Sequence, residues 1–124
     1  MNITSQVRQV GDVTILDIQG RIVSGEESTS LRDLILGLLS NGQKYILLNL
    51  AHVRHIDSRG LGSLVGVLAS VRKQGGELKL LNVNDRLTDI MQITRLYSVF
   101  DTVIDEVEGV SSFPPPRPMP GAEL

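Results

Sequence analysis

The chain of 124 residues contains no cysteine, which excludes disulfide bridges and thiolate metal sites. Aromatic residues make up only 3% of it and tryptophan is absent, which argues against a surface that stacks the bases of single-stranded nucleic acid. Lysine and arginine number 12 against 14 acidic residues, giving a net charge of -2. Because the sequence has no basic stripe, we expect no nucleic-acid partner and favour a protein partner.

Long apolar runs are also absent, since none approaches the ~20 residues that cross a bilayer. The first six residues, MNITSQ, lack the basic and apolar regions of a signal peptide. We therefore expect a cytoplasmic protein without membrane insertion. His52 and His55 lie in a predicted loop with no third candidate ligand nearby, so no metal site is predicted. No cofactor is expected, because the chain lacks a glycine-rich phosphate-binding loop.

The hydrophobic residues, 41% of the chain, are mostly aliphatic and fall into alternating strand and helix patterns. Strands are predicted at 2–10, 13–18, 45–50, 77–82 and 100–104, with a hairpin turn at Gly11-Asp12 and with Gly20 ending the second strand. Helices are predicted to follow a capping box at Ser24 to Glu27, to follow Ile56, and to begin at Asn84 or Asp85. The order β-β-α-β-α-β-α-β predicts an α/β fold with a mixed sheet, because strands separated by helices pair in parallel.

The end of the chain differs from the rest in composition. All five prolines lie between Pro114 and Pro120, and proline can continue neither a helix nor a central strand. We therefore predict one domain over residues 1–113 and an extended or disordered Pro-rich tail over residues 114–124.

The run IDSRGLGSLV, residues 56–65, follows an apolar strand and opens an amphipathic helix. An acid and a hydroxyl, Asp57 and Ser58, therefore lie at a helix start, where free backbone N–H groups and the helix dipole favour negative charge. Either residue would also serve as an ordinary N-cap. Gly60 and Gly62 indicate the close approach of another backbone, which could belong to a partner or to the domain's own sheet.

This run resembles the Asp-Ser-x-Gly-Leu-Gly signature of the STAS domain. The lead-in Leu48-Asn49-Leu50 and the strand-helix order extend the resemblance over residues 3–113. The resemblance implies the STAS fold, a mixed four- to five-stranded sheet backed by three to four helices. It also implies a bacterial anti-sigma factor antagonist, which binds an anti-sigma factor that is also a serine kinase and is dephosphorylated by a PP2C-type phosphatase.

The resemblance also implies roles for individual residues. Ser58 corresponds to the phosphorylated serine. The implied partner-binding residues are Asp57, Ser58, Arg59, Gly60, Leu61, Gly62, Val23 and Ser24.

The sequence departs from the family pattern at two positions. Val23 stands where antagonists controlled by phosphorylation commonly carry an aspartate, and Arg59 stands where a small residue is frequent. A second interpretation therefore remains, a non-phosphorylated STAS adaptor or scaffold subunit of a signalling assembly or of a lipid-transport ATPase complex. A weak homodimer also remains open. No enzymatic activity is predicted, because Ser58 does not lie in a Gly-x-Ser-x-Gly elbow.

Overall fold

Five strands form a single sheet in the computed structural model, which describes residues 3–22 and 26–114. The strands lie side by side in chain order: β1 (Ile3–Val10), β2 (Val13–Ile22), β3 (Tyr45–Ile56), β4 (Glu77–Leu81) and β5 (Thr102–Val103). β1 and β2 form an antiparallel hairpin, and the other neighbours pair in parallel. The predicted mixed sheet and its element order are therefore confirmed.

Four helices complete the described part of the chain: α1 (Glu26–Ser40), α2 (Ser58–Lys73), α3 (Asp85–Ile93) and α4 (Glu106–Ser111). The first three bury their apolar stripes on one face of the sheet. In α1 this stripe includes Leu31, Ile35 and Leu39, each less than 5% exposed. The Ser24–Gly25 half of the predicted capping box and tail residues 115–124 lie outside the described residues.

α4 covers the opposite face of the sheet and builds a smaller core there with Val13, Leu47 and Phe113. Gly109 makes its close approach feasible, because a Cβ at this position would lie 2.9 Å from a methyl group of Val103 and 3.1 Å from one of Leu47. Gly109 is a poor helix former, but its lack of a side chain allows α4 to pack against the sheet.

β2 is longer than predicted, because it does not end at Gly20. Gly20 has a φ of 111°, which glycine adopts at little energetic cost because it has no Cβ. The register between β2 and β3 shifts on either side of Gly20. The strand passes through this irregularity and continues to Ile22. The prediction that Gly20 ends the strand is therefore wrong. Because β2 continues, Arg21 pairs in register with His55 on β3.

β3 also runs past its predicted end at Leu50 and reaches Ile56. His52 and His55 therefore lie on a strand, and their prediction as loop residues is wrong. The second half of β3 was missed because polar and small residues interrupt its apolar run, although Val53 and Ile56 still face the core. β5 is shorter than predicted and leaves Phe100 as a buried residue just before it.

A polar network connects β1, β2, β3 and α4 across the face that α4 covers. Arg8 donates to both carboxylate oxygens of Asp17, at 2.6 and 3.0 Å, and to both of Glu106, at 2.6 and 3.2 Å. The side-chain amide of Asn49 donates to Asp17 at 2.7 Å. The Arg8 hydrogen bonds, aided by Asn49, hold the pKa of Asp17 below its usual value against the opposing effect of burial.

Candidate functional site

Asp57 caps the amino terminus of α2. Its backbone is extended, with φ -107° and ψ 178°, and its Oδ1 accepts a hydrogen bond from the N–H of Gly60 at 2.7 Å. Its carbonyl accepts the first helical bond, from the N–H of Leu61 at 2.9 Å. Of the two candidate caps in the sequence, the structure therefore selects the acid, and the Ser58 hydroxyl is not needed for capping.

Ser58 is the first residue of α2, and it is exposed. At this position the backbone N–H groups of Ser58 and Arg59 have no acceptor within the helix. Within the first turn of α2 there is no acidic residue, so the Asp57 carboxylate at the cap is the negative charge that faces the positive end of the helix dipole. A negative group attached to the Ser58 hydroxyl would lie beside these donors, which favours it electrostatically.

The two glycines of the signature have different surroundings. A Cβ on Gly60 would lie 2.1 Å from the carbonyl oxygen of Ile22, whereas a Cβ on Gly62 would have nothing within 4 Å. Gly60 is buried and Gly62 is exposed. Gly60 thus allows the start of α2 to contact the end of β2. Gly62 leaves the exposed surface of α2 without a side chain at that position.

Leu61 is fully buried and belongs to the core beneath α2. Of the residues expected to bind a partner, Ser58, Arg59 and Gly62 are exposed and Asp57 is half-buried. Gly60 and Leu61 lie inside the domain, so they shape this surface from below. Val23 and Ser24 lie outside the described residues.

Arg21, a basic residue that the sequence did not single out, lies at the same end of the sheet as this helix start, because the next residue, Ile22, lies against Gly60. Arg21 pairs in register with His55 on β3, one residue before Ile22 and Ile56 pair. Arg21 is exposed and His55 half-buried. None of the salt bridges between described residues includes Arg21 or Arg59. The signal in the sequence was the run Gly20-Arg21-Ile22, whose strand character the glycine concealed.

The described residues contain no group of three or more His, Cys, Asp or Glu side chains placed to hold a metal ion. None of the described helices combines the length and the apolar character that a membrane crossing requires. The helix start itself offers the exposed Ser58 hydroxyl, free backbone N–H groups and the exposed Arg59 guanidinium.

Comparisons with known proteins agree on one family. The STAS domain family model matches residues 4–109. The anti-sigma-B factor antagonist of Bacillus subtilis (strain 168) is 34% identical over 110 residues, which are 89% of this chain and 99% of that protein.

Solved structures share the fold. The crystal structure of the Thermotoga maritima protein TM1081 superposes with a TM-score of 0.74 at 25% identity, covering 86% of this chain and 92% of that one. The Bacillus cell fate determinant SpoIIAA in its phosphorylated form superposes with a TM-score of 0.66 at 19% identity, covering 87% of this chain and 97% of that one. Together with the signature at the start of α2, these matches show that the chain belongs to the STAS domain family.

Proposed function

We propose that this protein is an anti-sigma factor antagonist that acts by binding a protein and is controlled by phosphorylation of Ser58. The observation that carries the proposal is the exposed hydroxyl at the first position of α2, beside a cap that Asp57 already supplies. The similarity to the anti-sigma-B factor antagonist of Bacillus subtilis, which spans almost that whole protein, supports the same role.

The partner would be an anti-sigma factor with serine kinase activity, and a PP2C-type phosphatase would reverse the modification. Its contact surface would centre on Ser58, Arg59 and Gly62, with Asp57 at its edge and Val23 and Ser24 on its rim. Gly60 and Leu61 would set the position of this surface from inside the domain. The proposal places the protein in the cytoplasm, where it regulates transcription without catalysing a reaction itself.

The modification would convert a neutral contact into a charged one. The Ser58 oxygen forms a new bond to the terminal phosphorus of a nucleoside triphosphate as the bond to the diphosphate breaks, and the hydroxyl proton passes to a base of the kinase. The phosphate adds about -1.5 to -2 charges at neutral pH. The helix N–H groups accommodate this charge within the domain, whereas a partner surface fitted to a hydroxyl loses its contact. Binding is then abolished while the fold persists.

The alternative is a STAS adaptor that is not phosphorylated, serving as a scaffold subunit of a signalling assembly or of a lipid-transport ATPase complex. The observation that favours it is Val23, which stands at the position where phosphorylated members of the family commonly carry an acid. An adaptor would keep its partner whether or not Ser58 carries a negative charge. The effect of Ser58→Asp on binding therefore separates the two functions.

Phosphorylation itself can be tested with the purified full chain, a nucleoside triphosphate and the serine-kinase anti-sigma factor from the same organism. Intact-mass spectrometry should find one added phosphate on the wild type and on the Ser63→Ala control, which alters the other serine of the signature. Ser58→Ala should gain none. An unmodified wild type, or a Ser58→Ala variant that gains phosphate as readily as the wild type does, would exclude the proposed switch.

A further inference from the structure

The two edges of the sheet differ in length and in exposure of their backbone. β1 is an eight-residue edge strand, whereas β5 at the other edge has only two residues. Within residues 3–22 and 26–114, the only strand paired with β1 is β2. The outer edge of β1 therefore presents a row of backbone N–H and C=O groups that another strand could pair with.

β1 also lacks the features that usually protect such an edge. Its sequence, ITSQVRQV, contains no proline or lysine, and its one charged side chain, Arg8, is held over the sheet by Asp17 and Glu106. Val7 and Val10 are 48% and 39% exposed. No projecting charge on β1 itself therefore opposes the approach of a second strand.

The hairpin turn determines which amides of β1 point outward. Val10 and Val13 pair in register across Gly11-Asp12, and Gly11 has a φ of 59°. A β-turn of this class closes with a hydrogen bond between its first and last residues, so bonded positions recur at every second residue toward the amino terminus. The backbone groups of Gln6 and Arg8 therefore point toward β2, and those of Ser5, Val7 and Gln9 point outward.

We propose that β1 pairs with β1 of a second copy of this chain, antiparallel and about a two-fold axis at Val7. This register places Val7 opposite Val7 of the other copy. Ser5 then lies opposite Gln9, so that the outward-facing amides of Ser5, Val7 and Gln9 meet bonding partners. Gln6 lies opposite Arg8, which avoids setting the two Arg8 charges against each other. The two-fold also keeps corresponding faces of the two sheets on the same side, as antiparallel pairing requires.

The chain's own Pro-rich tail is a poorer occupant of this edge. Five of the seven residues from Pro114 to Pro120 are proline, and proline has no N–H to give to a strand ladder. A second β1 supplies a strand of equal length whose donors and acceptors match by symmetry. The same symmetry produces a closed dimer, because each copy uses its one open β1 edge.

The dimer would leave both helix starts free. β2 and β3 run in the same direction, and Ser58 follows the carboxyl end of β3. A two-fold axis between antiparallel β1 strands reverses this direction in the other copy, so the two Ser58 sites lie at opposite ends of a continuous ten-stranded sheet. The dimer would thus be bivalent, offering two separate copies of the same surface. The pairing itself does not depend on the proposed function.

Amide hydrogen exchange measured by NMR on the full chain tests the pairing directly. Between about 10 μM and about 1 mM protein, the range in which weak complexes assemble, the exchange of the Ser5, Val7 and Gln9 amides should slow at least about tenfold. The Gln6 and Arg8 amides, already bonded to β2, should change much less. Sedimentation should show the monomer converting to a dimer over the same range. A wild type that stays monomeric, with unchanged exchange of the three outward amides, would overturn the proposal.

Substitutions at Val7 test the site of pairing. Val7→Pro removes an outward N–H without removing a hydrogen bond to β2 and should be monomeric at every concentration, while Val7→Thr, which keeps that N–H, should dimerise as the wild type does. Val7→Lys sets two like charges opposite each other and should be monomeric at low salt, which preserves the test if the proline variant fails to fold. Ile104→Lys, an exposed position near the other edge, should still dimerise. Wild-type dimerisation by Val7→Lys would contradict the pairing, whatever Ser58 binds.

Discussion

The starts of α2 and α3 are built in the same way at their caps. α2 follows β3 and α3 follows β4, and the carboxyl ends of these two parallel strands point in the same direction. Asp57 and Asn84 both have extended backbones, and each accepts a hydrogen bond from the backbone N–H three residues later, at 2.7 Å from Gly60 and 2.8 Å from Leu87. Capping alone therefore accounts for the acid of the signature.

The difference lies in the residues that follow the cap. α3 begins with a permanent negative charge, Asp85, whereas α2 begins with the neutral hydroxyl of Ser58. The third helical residue is Leu87 in α3, but in α2 it is Gly60, pressed against the end of β2. α3 shows that this fold accepts a negative charge at the first helical position behind a neutral cap, Asn84. Under the proposed function, we expect the domain to tolerate a phosphate on Ser58, so that its effect falls on the partner.

The largest effect on stability is expected from disturbing the close contact between the start of α2 and the end of β2, which α3 lacks. Gly60→Ala should lower the free energy of unfolding by at least about 3 kcal/mol, because its Cβ would overlap the Ile22 carbonyl, a backbone atom that cannot rotate away. Gly62→Ala, the matched control in open space, should leave stability unchanged or raise it by up to about 1 kcal/mol, since alanine favours helix. Urea unfolding of both variants measures the difference. Equal stability of the two would show that α2 does not need its contact with β2.

An intermediate effect is expected from the feature that the two helices share. Asp57→Ala and Asn84→Ala should each cost about 1 kcal/mol of unfolding free energy, because each leaves an N–H of the first turn without its side-chain acceptor. Asp57→Asn should retain most of the stability, since asparagine caps equally well. Thermal or urea unfolding measures these free energies. If Asp57→Ala left stability unchanged while Asn84→Ala lowered it, the two caps would not be equivalent and the prediction would be wrong.

The smallest effect on stability is expected where the helices differ in charge. Ser58→Asp should alter the unfolding free energy by no more than about 1 kcal/mol, because the helix end favours the added charge whereas the neighbouring Asp57 carboxylate opposes it. Asp85→Ser should lower the unfolding free energy by up to about 1 kcal/mol, because it removes a negative charge from a helix start whose cap, Asn84, is neutral. Chemical denaturation at low and high salt measures both, and salt should diminish each. A destabilisation of several kcal/mol in Ser58→Asp would mean that a charge here damages the fold.

The sequence predicted the order of the elements and the place of the signature, because apolar periodicity and the run from Ile56 to Val65 are local features. It could not choose between Asp57 and Ser58 as the cap, since both residue types cap helices well. It also could not reveal the reason for Gly60, which depends on Ile22, a residue distant in the chain. The position of Arg21 at the same end of the sheet as the site was missed for a related reason. Glycine usually signals the end of a strand, and the irregular pairing that lets β2 continue past Gly20 is visible only in the structure.

The most direct test of the account is a pull-down from the source cell with the wild type, Ser58→Ala and Ser58→Asp, read by mass spectrometry. Ser98→Asp, which adds a charge at an exposed turn residue far along the chain, serves as the charge control. The account predicts that a serine-kinase anti-sigma factor is recovered with the wild type, Ser58→Ala and Ser98→Asp and is lost with Ser58→Asp. Recovery of the same transporter or scaffold proteins by all four would contradict it and would identify the domain as an adaptor.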